Sequence, residues 1–483
     1  MAFGTLQILV VLYLILITPI AVIAAKRIKH LKDFVNAGRK LPLPLVIATT
    51  FATWVGSETI LGVSTEASAN GLLGVVGDPI GAGVCLILFG LFFASKLYSK
   101  NHLTIGDYYK ERFGKKFGIF SSTVITISYF GWTAAQFVAM SLIFEYVFGL
   151  GGTTSRVISI GLILFYTVLG GMWSISLSDI IHMSVIIFSI VFLFFLVVGG
   201  GEGFSANIGS IPAEKLSLLE DFSIVGILGF LAAFLVFAFG SIPQQDLYQR
   251  SMSAKDQKTA VRGPVIGGSI YIIFGLMIAI MGIIAGINHP DLVDAGEQGI
   301  LFTLVEQNSS TFLKALFFAG LISAIISTAS ATLLAASAIF TENVVAEFKK
   351  IDDREKLILT RVFIFFIAFI SFLLSVMSDS SIYEFVSGAY SLTLAGVFIP
   401  LVFGLYVTRA NTLGAMLSFF VGIITYYFMS YIDSINGVLN MSILSSLSSL
   451  TAIIDPTLLG LFASFIAMMI GIYLGPKVHK SKN

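Results

Sequence analysis

Cysteine is nearly absent: Cys85 is the single one in 483 residues, which excludes a disulfide framework and a cysteine-based zinc site. Charge is scarce too. Only 11% of residues are Asp, Glu, Lys or Arg, with a formal net charge of +1, whereas a soluble domain carries about 25% charged residues. Too little polar surface remains for a cytoplasmic enzyme or a disordered chain, and no basic patch stands out for nucleic acid. The histidines (His30, His102, His182, His289, His479) are scattered, mostly near loops. Neither a metal-ligand spacing nor a phosphate-binding glycine loop occurs, so an intramembrane enzyme has little to stand on. Three tryptophans, Trp54, Trp132 and Trp173, are too few for a full interfacial belt.

What is abundant is hydrophobic: 57% of residues, with a mean hydropathy of +0.96. Thirteen stretches long enough to matter lack Asp, Glu, Lys and Arg: 1–25, 41–57, 79–95, 117–144, 157–178, 180–201, 222–245, 263–290, 315–341, 362–378, 385–408, 410–432 and 456–476. About 20 apolar residues cross the ~30 Å hydrocarbon layer, and the second stretch regains apolar character beyond Glu58. A further charge-free stretch, 434–454, is rich in Ser and Asn and reads as an outer loop with a surface helix.

Orientation follows from Lys and Arg. With the N-terminus outside and strict alternation, 25 of the 28 basic residues fall inside, leaving Arg156, Lys215 and Lys314 outside. One missed crossing would invert everything downstream. The first stretch has no basic residue before it and a basic cluster after it, so it reads as a retained N-out helix rather than a signal peptide. The expectation is an all-α polytopic membrane protein of thirteen transmembrane helices, with the C-terminus inside.

Transporters place their sites on interrupted helices near the midplane, at matching positions of two repeats. The second stretch, TTFATWVGSETILGVSTEASANG, mixes small and hydroxyl residues with Glu58 and Glu66. A carboxylate at mid-span costs roughly 3 kcal/mol, so Glu58 faces a cavity or pairs with a neighbouring helix. The seventh, FAFGSIPQQDLYQR, carries Gly240 and Pro243 close together. It either breaks there, the proline freeing a carbonyl, or ends at Ile242. Five crossings separate the two starts, and an odd number inverts the second unit. The layout predicted is a leading helix over 1–25, five-helix repeats over 41–201 and 222–408, and two trailing helices with a cytoplasmic tail over 410–483.

The ninth stretch, AGLISAIISTASATLLAASAIF, sets Ala324, Ser327 and Thr328 on one helical face. Two hydroxyls and a carbonyl suit a small hard cation, although small and hydroxyl residues are routine at membrane helix interfaces. Asp179, expected at the start of the sixth helix, is either an N-cap or a cation relay. Asp78, before Pro79, is likewise a cap or a site residue. Trp54 and Trp132 lie mid-membrane and either line a pocket or simply pack.

These residues resemble the sodium/solute symporter family of bacterial proline, sialic acid and sugar symporters and animal glucose and choline carriers. The resemblance spans nearly the whole chain. It is carried by NAGRKLPLPLVIATTFATWVGSETILG, YTVLGGMWSISLSDIIH, PQQDLYQR and AIISTASATLLAASAIFTENV. It implies a LeuT-like inverted-repeat fold and a co-transported sodium ion held by the carbonyls of Ala52, Val55 and Ala324 and the hydroxyls of Ser327 and Thr328. Asp179 matches the family acid associated with sodium binding or release, with His182 in place of the usual glutamine three residues on. ATWVG resembles the choline-carrier branch, where tryptophans hold a quaternary ammonium by cation–π contact. Trp54 and Trp132 match two of those aromatic positions, while Gln244 and Ala82 replace two others.

The function expected is sodium-coupled symport of a small polar organic solute, amino acid-like or cationic, in a bacterial inner membrane. The solute would bind among Trp54, Ser57, Glu58, Asp78, Trp132 and Gln244. A sodium-independent facilitator or exchanger and a solute sensor are the rival readings on the same fold. The partners expected are solute, sodium and the lipid bilayer, with no nucleic acid.

Overall fold

The computed structural model describes residues 4–199, 207–296, 298–439 and 441–475. The described chain is helical, with one isolated β-bridge between Leu41 and Ala254. Nine of the described helices are long and apolar enough to cross a membrane, ten if the bent pair below counts as one span. Thr5–Ile20 and Leu43–Trp54 are shorter apolar helices.

In chain order the principal elements are α1 (Thr5–Ala25), α2 (Leu43–Trp54), α3 (Val63–Asn70), α4 (Ala82–Leu88), α5 (Ile105–Phe113), α6 (Lys115–Phe148) and α7 (Gly152–Val198). Next come α8 (Ile224–Gly240), α9 (Gln245–Met252), α10 (Gln257–Asn288), α11 (Thr311–Phe340), α12 (Asp353–Met377) and α13 (Ile382–Thr393). Four more complete the set: α14 (Thr412–Ser430), α15 (Ile432–Leu439), α16 (Ser442–Thr451) and α17 (Pro456–Leu474). The Ser-rich 434–454 stretch thus holds all of α16 and most of α15, two short helices rather than one. The cytoplasmic tail foreseen after 475 lies outside the described residues.

The most buried helix is built of small side chains. In α11 every residue from Phe317 to Ile339 is buried. Its run of Ala, Ser and Thr keeps the helix thin, so α6 and α7 pack closely against it. Outward faces carry bulk instead: Leu16 is 73% exposed and Phe369 57%, as befits side chains that lipid covers.

Contacts between distant segments sort the chain ends into two faces. On one, Leu41 exchanges backbone hydrogen bonds with Ser253 and Lys255, and the Arg39 guanidinium stacks on Tyr98 and bonds Asn101. On the same side Lys110 pairs with Glu347, and Arg112 donates to the carbonyls of Gly404 and Val407. On the other face, Lys215 reaches Ala69 O at 2.6 Å, Glu306 meets Tyr146 and Lys314, and Gln298 caps Ile382. Segments rich in Lys and Arg are therefore gathered together.

One expectation about boundaries needs correction, and one left open is decided. The stretches 157–178 and 180–201 are not separated at Asp179. One helical run, α7, continues through it, and the chain bends at Gly171, whose φ of 47° and ψ of −144° only glycine tolerates well. Asp179 therefore caps nothing and lies well inside a helix. The seventh stretch does not end at Ile242. It breaks after Gly240, turns through Pro243 and resumes as α9 at 45°.

Candidate solute and cation site

The site is built on the interruption between α2 and α3. Val55 leaves helical geometry (φ −83°, ψ 79°) just after its N–H bonds Phe51 O at 2.9 Å. A helix end leaves its last four carbonyls without intrahelical partners, here those of Ala52, Thr53, Trp54 and Val55. Two of them recruit hydroxyls: Trp54 O accepts from Thr59 Oγ1 and Thr53 O from Thr328 Oγ1, both at 2.9 Å. The chain then rewinds through a wide turn, Glu58–Gly62, into α3. Gly56 permits the approach. A Cβ there would lie 2.6 Å from Glu58 Oε2 and 2.8 Å from Thr328 Oγ1.

Thr328 thus ties α11 to the break in α2. One residue earlier, Ser327 Oγ donates to Asp179 Oδ1 at 2.7 Å, tying α11 to α7. Asp179 Oδ2 is buried without a partner. The result is a turn of released carbonyls facing two adjacent hydroxyls, with a carboxylate behind them. All of these atoms are oxygens, the set a small hard cation prefers. Among the described residues no cluster of His, Cys, Asp and Glu of the kind that holds a transition metal occurs.

On the other side of the break lies an aromatic box. Trp54 stacks with Tyr390 (6.2 Å between centroids, 16°) and meets Trp132 and Tyr271 edge-on, both at 6.3 Å. Trp132 meets Tyr390 at 5.4 Å. Glu58 stands at its base, accepting from Trp132 Nε1 at 3.0 Å, Gln136 Nε2 at 2.8 Å and Ser57 Oγ at 3.4 Å. Gln136 also accepts from the Ser57 N–H at 3.0 Å, so one side chain holds both the turn and the carboxylate. Asp78 accepts from the Tyr271 hydroxyl and, at 3.4 Å, from Thr59 Oγ1. Its backbone is extended (φ −126°, ψ 121°), as a cap residue's would be, but its carboxylate serves Tyr271 of α10 and Thr59 and no following backbone N–H, so it is not a helix cap. The Trp54 indole N–H is buried without a partner.

Gln244 sits at the second break, its backbone extended (ψ 140°), and its amide donates to Ser128 Oγ at 3.2 Å and Thr393 Oγ1 at 3.4 Å. Thr393 lies in α13 three residues after Tyr390. Gln244 therefore borders the box through α13 and forms no hydrogen bond with Glu58 or Trp54. Below it, the fully buried Arg250 donates from Nε to Thr53 Oγ1 at 2.6 Å and from Nη1 to Asp246 O at 3.0 Å. Asp246 accepts from the Tyr129 hydroxyl at 2.6 Å.

The structure brings Trp54, Ser57, Glu58 and Trp132 into one cluster, with Asp78 joined through Thr59 and Tyr271. It also joins Ser327 to Asp179, while Thr328 bonds the carbonyl of Thr53 rather than that of Ala52 or Val55. Sequence reasoning missed Tyr271, Tyr390, Gln136, Thr53 and Arg250. Gln136 had a readable signal, being a polar residue four after Trp132 and so on the same helical face.

Comparison with known proteins agrees with this architecture. The model of the sodium:solute symporter family matches residues 34–422. Relatives include the high-affinity choline transporter 1 of Caenorhabditis elegans, 23% identical over 445 residues (86% of this chain, 76% of that protein). The osmoregulated proline transporter OpuE of Bacillus subtilis is 25% identical over 436 residues, 86% of each chain. A sodium-coupled sialic acid symporter, solved substrate-bound and outward-open, shares the fold with a TM-score of 0.82 at 18% identity over 99% of both chains. A nucleobase–cation symporter in a closed conformation is more distant, with a TM-score of 0.56. These relatives are transporters and not enzymes, and their match covers most of the chain on both sides. The chain belongs to the sodium:solute symporter family.

Proposed function

We propose that this protein is a secondary active transporter that couples sodium entry to uptake of a small polar organic solute by alternating access. Sodium would sit between the α2 break and α11, on the carbonyls of Ala52, Val55 and Ala324 and the hydroxyls of Ser327 and Thr328. Asp179 would serve a second cation or the release path. The observation that carries this reading is the pair of ties from α11, Thr328 to Thr53 and Ser327 to Asp179. A cation shared by these elements would hold the broken helix against α11 and favour one of the two access states.

The solute would occupy the box of Trp54, Trp132, Tyr271 and Tyr390 over Ser57, Glu58 and Asp78, with Gln244 at its border. Charge supports a solute with a cationic group. Among the described residues the buried Asp, Glu, Lys and Arg are Glu58, Asp78, Asp179, Asp246 and Arg250, four acids against one base. A buried charge is tolerated when paired, and neither Glu58 nor Asp78 has a cation within ion-pair distance. A proline-like or quaternary ammonium solute would supply it, its cation resting on aromatic faces.

The topology proposed is thirteen crossings in a bacterial inner membrane, N-terminus outside and C-terminus cytoplasmic. A leading helix precedes inverted five-helix repeats over 41–201 and 222–408, broken at α2–α3 and α8–α9. Two trailing helices follow. Uptake of labelled proline and choline into proteoliposomes, with an imposed sodium gradient against an equal potassium gradient, tests the reading. Gradient-independent equilibration would favour a facilitator, and binding without accumulation a sensor.

A further inference from the structure

The face that gathers Lys and Arg carries a cleft the transport site does not use. It lies where the segment after α4 (Phe89–Lys100) meets the first turns of α10. The two are tightly packed there: a Cβ on Gly90 would lie 2.6 Å from Val265 Cγ2 and 2.7 Å from Val261 O. Gln257 Nε2 bonds Ser95 Oγ at 2.5 Å and closes the end of the seam. Beside this bond is a cavity of about 280 Å³ lined by Ser95, Gln257, Lys258, Val261 and Arg262. Lys258 and Arg262 are exposed, and neither has an acidic partner among the described residues. The nearby Asp256 is engaged elsewhere, its Oδ1 capping the Thr259 N–H at 2.8 Å.

One turn deeper on the same segment, Leu88, Phe92 and Phe93 line a second cavity, of about 300 Å³, with Phe239, Phe398 and Tyr406. It is apolar and opens toward the bilayer, with Phe92 52% exposed. Lys96 spans the gap in depth, its ammonium over the Tyr406 ring. Two unpaired cations at the membrane surface, a hydroxyl and an amide beside them, and an apolar slot just below match the two ends of one molecule. We infer that Ser95, Gln257, Lys258 and Arg262 form a headgroup site for an anionic phospholipid, whose acyl chain lies along Phe92 and Phe93. Basic clefts between helices at this depth attract anionic lipids at about 1 kcal/mol per cation, and a neutral headgroup would leave both cations unmatched. The headgroup would bridge the third stretch's inner end to the start of α10, and the acyl chain would cover the far side of that segment where it meets α8.

The test uses the purified full-length protein. Phosphatidylglycerol, phosphatidylcholine and inorganic phosphate are each titrated against thermal stability, and bound lipids are counted by native mass spectrometry. The comparison is wild type, Lys258→Gln/Arg262→Gln and, as a surface-charge control, Lys349→Gln/Lys350→Gln. Expected is stabilisation by phosphatidylglycerol alone, with binding about 30-fold weaker once the two cations are gone and unchanged in the control. Equal stabilisation by phosphatidylcholine, an undiminished lipid count in Lys258→Gln/Arg262→Gln, or an equal loss in the control would overturn the assignment. Stabilisation by inorganic phosphate at matched concentration would also overturn it, since the site would then take a soluble anion.

Discussion

Trp132 Nε1 donates to Glu58 Oε1 at 3.0 Å, joining the middle of α6 to the turn that interrupts α2. The indole is at once a wall of the aromatic box and a support of its carboxylate. Trp132→Phe keeps most of the wall and removes the donor. A buried acceptor that loses one partner costs about 1–3 kcal/mol, so solute affinity should fall roughly tenfold or more while sodium-dependent stabilisation persists. Binding measured by calorimetry on the variant checks both halves.

Glu58→Gln tests charge rather than support. The amide keeps the size of the side chain and removes the negative charge in the box. A cationic solute should then bind far more weakly, whereas a neutral solute of similar shape should be little affected. Competition between charged and uncharged analogues in an uptake assay separates the cases; equal loss for both would refute a charge-reading role.

Sodium should raise the melting temperature and equimolar potassium should not. A ligand at 100 times its dissociation constant adds about 2.7 kcal/mol to a reversible folding equilibrium. Ser327→Ala/Thr328→Ala removes both hydroxyls and should abolish the sodium-specific part. A shift of equal size in wild type and variant would place sodium elsewhere.

Gly56→Ala places a methyl between the two halves of the site, 2.6 Å from Glu58 Oε2 and 2.8 Å from Thr328 Oγ1. Overpacking of this kind costs typically 1–3 kcal/mol. Unlike the variants above, it should weaken sodium and solute together, and paired titrations of each ligand check this.

Outside the membrane, Glu111 meets Lys100 at 2.7 Å and the His102 ring at 2.5 Å. Partial burial raises its pKa, but the hydrogen bonds and charges of Lys100 and His102 outweigh this and hold it below the usual carboxylate value. A depressed folded-state pKa stabilises above the unfolded value of about 4.3 and is lost as pH falls through the folded one. The pair is half-exposed, so the effect is small. Glu111→Gln should lower the melting temperature slightly at pH 7 and converge with wild type below about pH 4, as a melting series in pH would reveal.

Local chemistry was legible in the sequence where it repeats along one helix. Ser327 and Thr328 are adjacent on α11, and Glu58 announces itself as a carboxylate in an apolar run. Asp179 was found as a residue and misplaced as a helix start, because a charge marks polarity and not a turn. The real bend, Gly171, is set by a positive φ that its sequence neighbours do not announce. Tyr271 and Tyr390 were missed for a different reason. They come from α10 and α13, far apart in sequence, and a tyrosine in an apolar helix looks the same whether it faces lipid, packing or a solute. Arg250 lay inside a quoted segment, yet only the fold brings it to Thr53 and the cation cluster.

The inequality among the buried charges has an electrical meaning. With Glu58, Asp78, Asp179, Asp246 and Arg250 ionised, the empty centre carries a net charge of −3, and sodium with a cationic solute reduces this to −1. A membrane voltage acts on whichever form carries net charge through the field, at about 2.3 kcal/mol per charge and 100 mV. The loaded protein would then feel about a third of the electrical force that acts on the empty one, and the return of the empty one would be the step the cell's resting potential drives most strongly.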